Sequence, residues 1–567
     1  MKRPAIIVIA MILSAPQFIL GQDKKVTPPP TRIEISDDTT MHTDKTQKAE
    51  PQKPEMELPE VLVLGTERNI EVPSEKQNMV PVAPSLVKPD APSEFVTTWF
   101  RTQVQKPSVS RDVNYIGEYA WAGLLAGNGI TAQMNGGYWR QLPNGTISGQ
   151  IHGGHDAGDF RNNAESDGEI RAQSSFEFGE GLSAELTGTL RGVHTGLHQV
   201  LDSSAIRNSS LGNFRSRLQY QHPGQGKTEL VLGVNGLSMQ SDTADGQFDK
   251  TANRLIRITG RHSNTISGIP VSLTAGLQRE NLSGPVNAEP LVSLMNQFGL
   301  ETRLTFSNTW TSTFGLRYET FSNDSTGTLQ RFSPWGKLNY IPTNFLGFSL
   351  NIVSGYQHLS FYDRFQNNAY IGHWILPRPD HLVFGSQFVV DLQLSETIAF
   401  RGEFRYANYD LFQYWARNTS GFFTLASTSD VEVIRMRMGA ALQVTDWLVV
   451  SPSVETYTTN YGGASLQDID YIPYKPQLVI PVAARIDMGD QLQVNIESRY
   501  AGIRQTNLGG GTELDPYWDI NAEFQRILSD RYSIFLVAQN MLSSKYSHWQ
   551  GYPVNGIRIL VGAKATF

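Results

Sequence analysis

The chain has 567 residues, a net charge of -7, 18% charged residues, 10% aromatic residues, 50 Gly and no Cys. The acidic balance excludes a basic field for nucleic acid, and the missing Cys excludes a disulfide scaffold, a thiolate metal site and a cysteine nucleophile. Mean hydropathy is -0.30; no apolar run of about 20 residues follows the first two dozen positions, so helical membrane spans are excluded and an exported all-β chain remains.

The first element in chain order is a secretory signal over residues 1–21. Lys2 and Arg3 precede an apolar run from Ala5 to Leu20, broken by Ser14, Pro16 and Gln17, and Gly21 closes it. Residues 22–112 follow as a Pro-rich tail. No Phe, Tyr or Trp occurs from Gln22 to Glu94, and 12 of the 29 Pro lie between Gln22 and Asp112. Such a segment buries too little apolar surface to offset its ordering entropy, so a disordered periplasmic tail is expected. One island at 59–67 differs. Its core, Glu60, Val61, Leu62, Val63 and Leu64, is β-prone and suits strand addition to a partner's sheet edge.

From residue 113 to 567 the pattern changes to segments of 10–15 residues with period-2 alternation. Ile398, Phe400, Phe404 and Tyr406 oppose Arg401, Glu403 and Arg405. Leu492, Val494, Ile496 and Tyr500 oppose Glu497 and Arg499, while Trp518, Ile520, Ala522 and Phe524 oppose Asp519 and Glu523. More than 20 such strands exceed what an open twisted sheet holds. A closed antiparallel transmembrane barrel satisfies every backbone group, with lipid outside and water inside. Arg401, Glu403, Arg405, Arg485, Asp487, Glu497, Arg499 and Glu523 are then expected to line the lumen. Short links, such as Leu142–Asn144, Pro342–Thr343, Thr445–Asp446 and Ser529–Asp530, alternate with long ones, such as 194–210, 357–380, 460–474 and 543–554. Counting by this order gives 22 strands from about Tyr115, and an even count leaves both termini at the short-link end.

The stretch Tyr532 to Tyr546, then Gly551-Tyr552-Pro553, Gly556 and the terminal Phe567, resembles the last two strands of TonB-dependent outer-membrane receptors. Arg558 follows one residue later than in that pattern. The segment from Tyr406 to Arg437, with Asn418, is similar to a middle hairpin of the same family, and a 22-strand barrel is its size. The island at 59–67 resembles the stretch that opens the family's plug domain, after a short TonB-contacting box. The resemblance implies energised transport across the outer membrane with a TonB-like periplasmic coupling protein. Only 47 residues, Arg68 to Asn114, separate the island from the first strand, too few and too Pro-rich for the plug. The expectation is therefore a plug-less barrel whose lumen is filled by the tail, filled by a partner, or genuinely wide.

Ligand recognition is expected in the loop from His358 to His381, where Tyr362, Arg364, Phe365, Tyr370 and Trp374 place rings beside polar groups; the aromatic girdle is the competing assignment for those rings. His152 and His155, and His358, His373 and His381, could be read as metal ligands, but lone histidines in loops are more often polar surface, so no metal and no cofactor is expected. Gly509, Gly510 and Gly511 open no helix and form no phosphate cradle. No Ser stands in a nucleophile elbow, so no catalytic residue and no enzyme activity is expected. The reading is an integral outer-membrane transport barrel that moves or docks a substrate; the alternative is a non-transporting surface-interaction or assembly scaffold.

Overall fold

A computed structural model describes residues 118–567, apart from 129–130, 160–163, 180, 198–204, 224–225, 243–247, 285–288, 326, 374, 376–377, 463–469 and 490. The signal, the tail and the island at 59–67 lie outside the described residues. The strands run β1 (Glu118–Gly127), β2 (Thr131–Leu142), β3 (Gly145–Asp156), β4 (Glu165–Glu177), β5 (Leu182–Gly196), β6 (Ile206–Gln221), β7 (Lys227–Asp242), β8 (Phe248–Ile266) and β9 (Ile269–Ser283). There follow β10 (Leu291–Thr305), β11 (Trp310–Asn323), β12 (Gly327–Thr343), β13 (Leu346–Gln357), helix α1 (Phe361–Asn367), β14 (Asp380–Gln393), β15 (Ile398–Arg417), β16 (Phe423–Thr428), β17 (Val431–Thr445) and β18 (Leu448–Tyr461). The rest are β19 (Leu478–Met488), β20 (Leu492–Ala501), β21 (Arg504–Gln505), β22 (Glu513–Leu514), β23 (Tyr517–Ile527), β24 (Tyr532–Gln539), β25 (Ser547–Trp549), β26 (Tyr552–Pro553) and β27 (Arg558–Thr566).

Five of these, β16, β21, β22, β25 and β26, are short pieces in the long links. The other 22 pair antiparallel with their neighbours, and β27 closes on β1 through the register Trp121↔Thr566 to Gly127↔Leu560. Closure leaves no sheet edge unpaired, which is the condition a membrane-spanning sheet must meet. Short turns join the strands at one end, as at 143–144, 267–268, 344–345 and 446–447, and long links join them at the other. The count and the alternation match those read from the periodicity.

The two faces of the wall separate as the period-2 pattern requires. On β8, Ile256 and Ile258 are exposed while Thr251, Asn253 and Leu255 on the other face are buried. On β15, Phe400 and Phe404 are exposed and Ala399, Ala407 and Tyr409 are buried. The outward face is an apolar belt. At the short-turn end it carries large exposed rings, among them Phe178, Phe306, Trp310, Phe345, Trp447, Tyr532 and Phe567, the girdle expected where a barrel wall meets a membrane surface. The inward face carries buried polar groups, including Arg207, Glu280, Arg317, Glu319 and Arg558.

Candidate functional site

The long link between β13 and β14 turns into the barrel rather than away from it. Its departure is set at Gly355, where the β13–β14 register breaks and φ is +132°. No L side chain adopts that conformation readily, so glycine is required here. The backbone N–H of Tyr356 then donates to Glu319 on β11 (3.0 Å), a carboxylate that also accepts from Ser333 (2.7 Å) and Gln297 (3.0 Å). A charged acceptor holding three donors fixes the direction in which the link leaves the wall.

Helix α1 starts five residues after Tyr356 with a reciprocal cap. Ser360 Oγ accepts from Asp363 N (3.1 Å), and the Asp363 carboxylate accepts from the Ser360 N–H (3.3 Å), which satisfies two otherwise orphaned donors. Burial opposes the charge on Asp363, but Arg257 and Ser360 outweigh it and hold the carboxyl below its ordinary range. The ion pair Arg257–Asp363 (2.5 Å) is informative about place. Arg257 stands on the inward face of β8, five strands around the wall from β13. The link therefore crosses the interior.

The far wall holds it at three further points. Glu280 on β9 accepts from the Phe361 N–H (2.6 Å), from Asn253 (2.7 Å) and pairs with His358 (3.0 Å). Arg207 on β6 donates to the carbonyls of Ala369 (2.6 Å) and Ile371 (2.8 Å). His373 sits between Thr251 (3.0 Å) and Ser241 (2.8 Å); burial, then the charge of Arg207, pushes its pKa down to about 3. Phe361, Tyr362, Phe365, Ile371 and Ile375 pack with Leu211, Leu237, Met239 and Leu282 of β6, β7 and β9.

Other long links meet this crossing segment or pack on those that do. Ile371 and Phe423 form a parallel bridge, with Gly372 N–H donating to Phe423 O (2.7 Å) and Phe423 N–H to Tyr370 O (3.0 Å). Tyr370 stacks on Tyr552 at 3.7 Å between ring centroids. Phe423 lies 4.9 Å from Trp549 and 5.3 Å from Tyr474, and Trp415 lies 5.7 Å from Trp549. Phe423 has no exposed surface. Arg504 ties two of the links by donating to Ser547 O (2.8 Å) and Asp515 O (3.0 Å). Burial, then the nearby arginines Arg504 and Arg499, lowers the His548 pKa to about 3. Lys475, seated over the Tyr457 ring at 4.4 Å, is pushed down to about 7 by burial and by Arg435. Arg558, the arginine placed one residue late, grips Asp156 through two donors (2.8 and 3.1 Å) and Asp159 through a third (2.8 Å). Rings, strapped by arginines, thus form a loop cap within the long-link end.

Of the residues expected to bind a ligand, Tyr362, Arg364 and Phe365 are buried in α1. The Arg364 guanidinium donates to Arg378 O (3.0 Å) and Gln413 (2.9 Å). Tyr370 lies in the ring cluster, and Trp374 is outside the described residues, as are Glu60 to Leu64. Arg401, Glu403 and Arg405 stand opposite Phe400 and Phe404 on β15, and Glu403 pairs with Arg405. Arg485 pairs with Asp487 (2.9 Å), Arg499 registers with Asp519, Glu497 with Asn521 and Glu523 with Asn495. The histidines weighed as metal ligands bond to separate partners: His152 to Asn135, His155 to Ser166 (2.7 Å) and His381 to Asp410 (3.0 Å). Sequence reasoning missed Glu280, Arg257, Arg207, Phe423 and Trp549. Each is one of many residues of its kind on an alternating strand or in a long link, and no local signal marks it.

No family model matches the chain, and no curated protein matches it in sequence. Solved structures do match in fold. The FrpB iron transporter from Neisseria meningitidis (F3-3 variant) superposes with a TM-score of 0.65 at 10% identity, covering 80% of this chain and 81% of that one. The siderophore receptor PiuA from Acinetobacter baumannii gives 0.60 at 9% identity over 80% and 82%, and the copper transporter OprC gives 0.63 at 10% over 80% of each. The fold is that of the outer-membrane transport barrels.

Proposed function

We propose that the protein is an outer-membrane transport barrel that moves or docks a substrate, similar to a TonB-dependent receptor without the plug, and that its long-link end is kept shut by its own loops. The observation that carries this is the segment from Ser360 to His373, which spans the interior and is fastened to β6, β7, β8 and β9 by Arg207, Ser241, Thr251, Arg257 and Glu280. A barrel of this size with an unobstructed lumen passes large solutes, so a wall-to-wall strap is the part that would limit passage. On this reading the long-link end faces outside, the tail lies in the periplasm, and Glu60 to Leu64 add as a strand to a periplasmic coupling or lumen-filling partner. The inward residues Arg401, Glu403, Arg405, Arg485, Asp487, Glu497, Arg499 and Glu523 line a wet path of mixed charge. Non-enzymatic action is part of the same proposal, supported by transporters and receptors among the matching folds.

The test is conductance of the purified full chain in planar bilayers, with residues 362–372 replaced by a short Gly-Ser link. The expected result is a several-fold larger unitary conductance with heat-modifiable gel migration retained. Unchanged conductance in a folded variant would remove the loop cap as the closure and favour the scaffold alternative.

A further inference from the structure

The outer wall carries a feature that lies apart from the loop cap. On β8 the outward row reads Gly260, Ile258, Ile256 and then Arg254; on β9 it reads Leu273, Ala275, Leu277 and then Arg279. Ile256 and Leu277 are thus followed, toward the long-link end, by exposed guanidiniums on the same face. Arg279 registers with Ile256, so the two arginines are diagonal neighbours on adjacent strands. Lys250, also exposed, continues the Arg254 row toward the long links. Among the described residues none of the three side chains makes a hydrogen bond or ion pair. The acid on the same face of β7, Asp242, accepts from Gln240 (3.0 Å).

Below the arginines lies a groove of about 770 Å³, lined by Leu230, Gly260, Leu273, Ala275, Phe298 and Phe332 among others. Gly260 and Ala275 are register partners, and Ala275 pairs with Phe298. Two small residues side by side leave a floor between long apolar walls. At about 3.3 Å per residue, Ala275 is about 13 Å along the strand from Arg279 and Gly260 about 20 Å from Arg254. Cations on the lipid face of a barrel are disfavoured at mid-depth and tolerated near the interface, where long side chains reach the headgroups. Paired forks there match phosphate.

We propose that Arg254, Arg279 and Lys250, with the groove beneath them, bind a phosphorylated membrane lipid, its phosphate on the guanidiniums and one acyl chain along Gly260 and Ala275. Charge complementarity selects this occupant over a neutral lipid. The test uses the full chain purified in detergent, with dipalmitoyl phosphatidic acid as probe and dipalmitoylglycerol, its phosphate-free counterpart, as comparison. Native mass spectrometry reads the apparent affinity. Wild type should bind the phosphorylated probe at least fivefold more tightly. Both Arg254→Gln/Arg279→Gln and the groove-filling Ala275→Leu should weaken it at least fivefold, with heat-modifiable migration and pore conductance unchanged. Equal affinity for the two probes, or a smaller loss in either folded variant, would overturn the proposal, as would displacement of the lipid by equimolar inorganic phosphate, which would mark a bare-anion site.

Discussion

Glu280 shows how single residues hold the cap. Its carboxylate accepts from a backbone N–H, an amide and an imidazole, and it has almost no exposed surface. Glu280→Ala leaves those donors buried without an acceptor, a cost of about 1–3 kcal/mol per group, so the variant should show frequent brief openings in single-channel records. A record as quiet as wild type would mean that Glu280 does not hold the strap. His373 and His548 give the cap a pH dependence with a definite sign. His373 and His548 are depressed to about 3, against an unfolded value near 6.5. Stability from a depressed group is present above the unfolded value and is lost as pH falls toward the folded one. Lys475, depressed to about 7, has completed most of its change above pH 6, and the carboxyl of Asp363, held low, changes only below its ordinary value near 3.8. Between pH 6 and pH 4 the two histidines destabilise the cap as protons are added, while Asp380 beside Arg364, raised to about 7 by burial, takes up its proton in the folded state and offsets one of them. Open probability should rise over that interval, and His373→Gln should flatten the rise; an equal slope in the variant would assign the effect elsewhere.

At the scale of the element, α1 is a seven-residue helix too short to persist on its own. It exists because its ends and its apolar face are held. The Ser360–Asp363 cap contributes about 1 kcal/mol, and buried Phe361 and Phe365 about 1.5–3 kcal/mol each. Ser360→Ala should accordingly leave the barrel's heat-modifiable migration intact while raising the rate of proteolytic cutting between β13 and β14; no change in that rate would show that α1 is held without its cap. The strands themselves were legible in the residues, because a wall with lipid on one face enforces period 2, and β15, β20, β23 and β27 follow it closely. The helix was not legible. Phe361 to Asn367 lies within a link whose rings read equally well as a surface girdle, and nothing in seven residues says that Asp363 meets an arginine 106 positions earlier. Arg558 is an intermediate case: its displacement from the family pattern was visible, whereas its grip on Asp156 and Asp159 is a property of the closed barrel.

For the molecule as a whole, the size of the barrel followed from the link alternation, but the means of closing it did not. On the proposed plug-less reading, a 22-strand wall leaves the tail, a partner or the loops as the stopper, and the residues alone pointed to the first two. Loops were overlooked because their inward course depends on Gly355, on Glu319 and on anchors spread over four distant strands. The tail and the loop cap can be separated by one set of conductance measurements, since each can be deleted without the other. Deleting residues 22–94 should leave unitary conductance within about twofold of wild type if the loops carry the main resistance, because resistances in series are set by the narrowest one. Removing residues 362–372 should raise it several-fold. Removing both should add little to the loop deletion alone if the tail only recruits a partner, and should add a second large increase if the tail also threads the lumen. A large increase from the tail deletion by itself, with the loops intact, would place the constriction in the tail and leave the strap from Ser360 to His373 without a gating role.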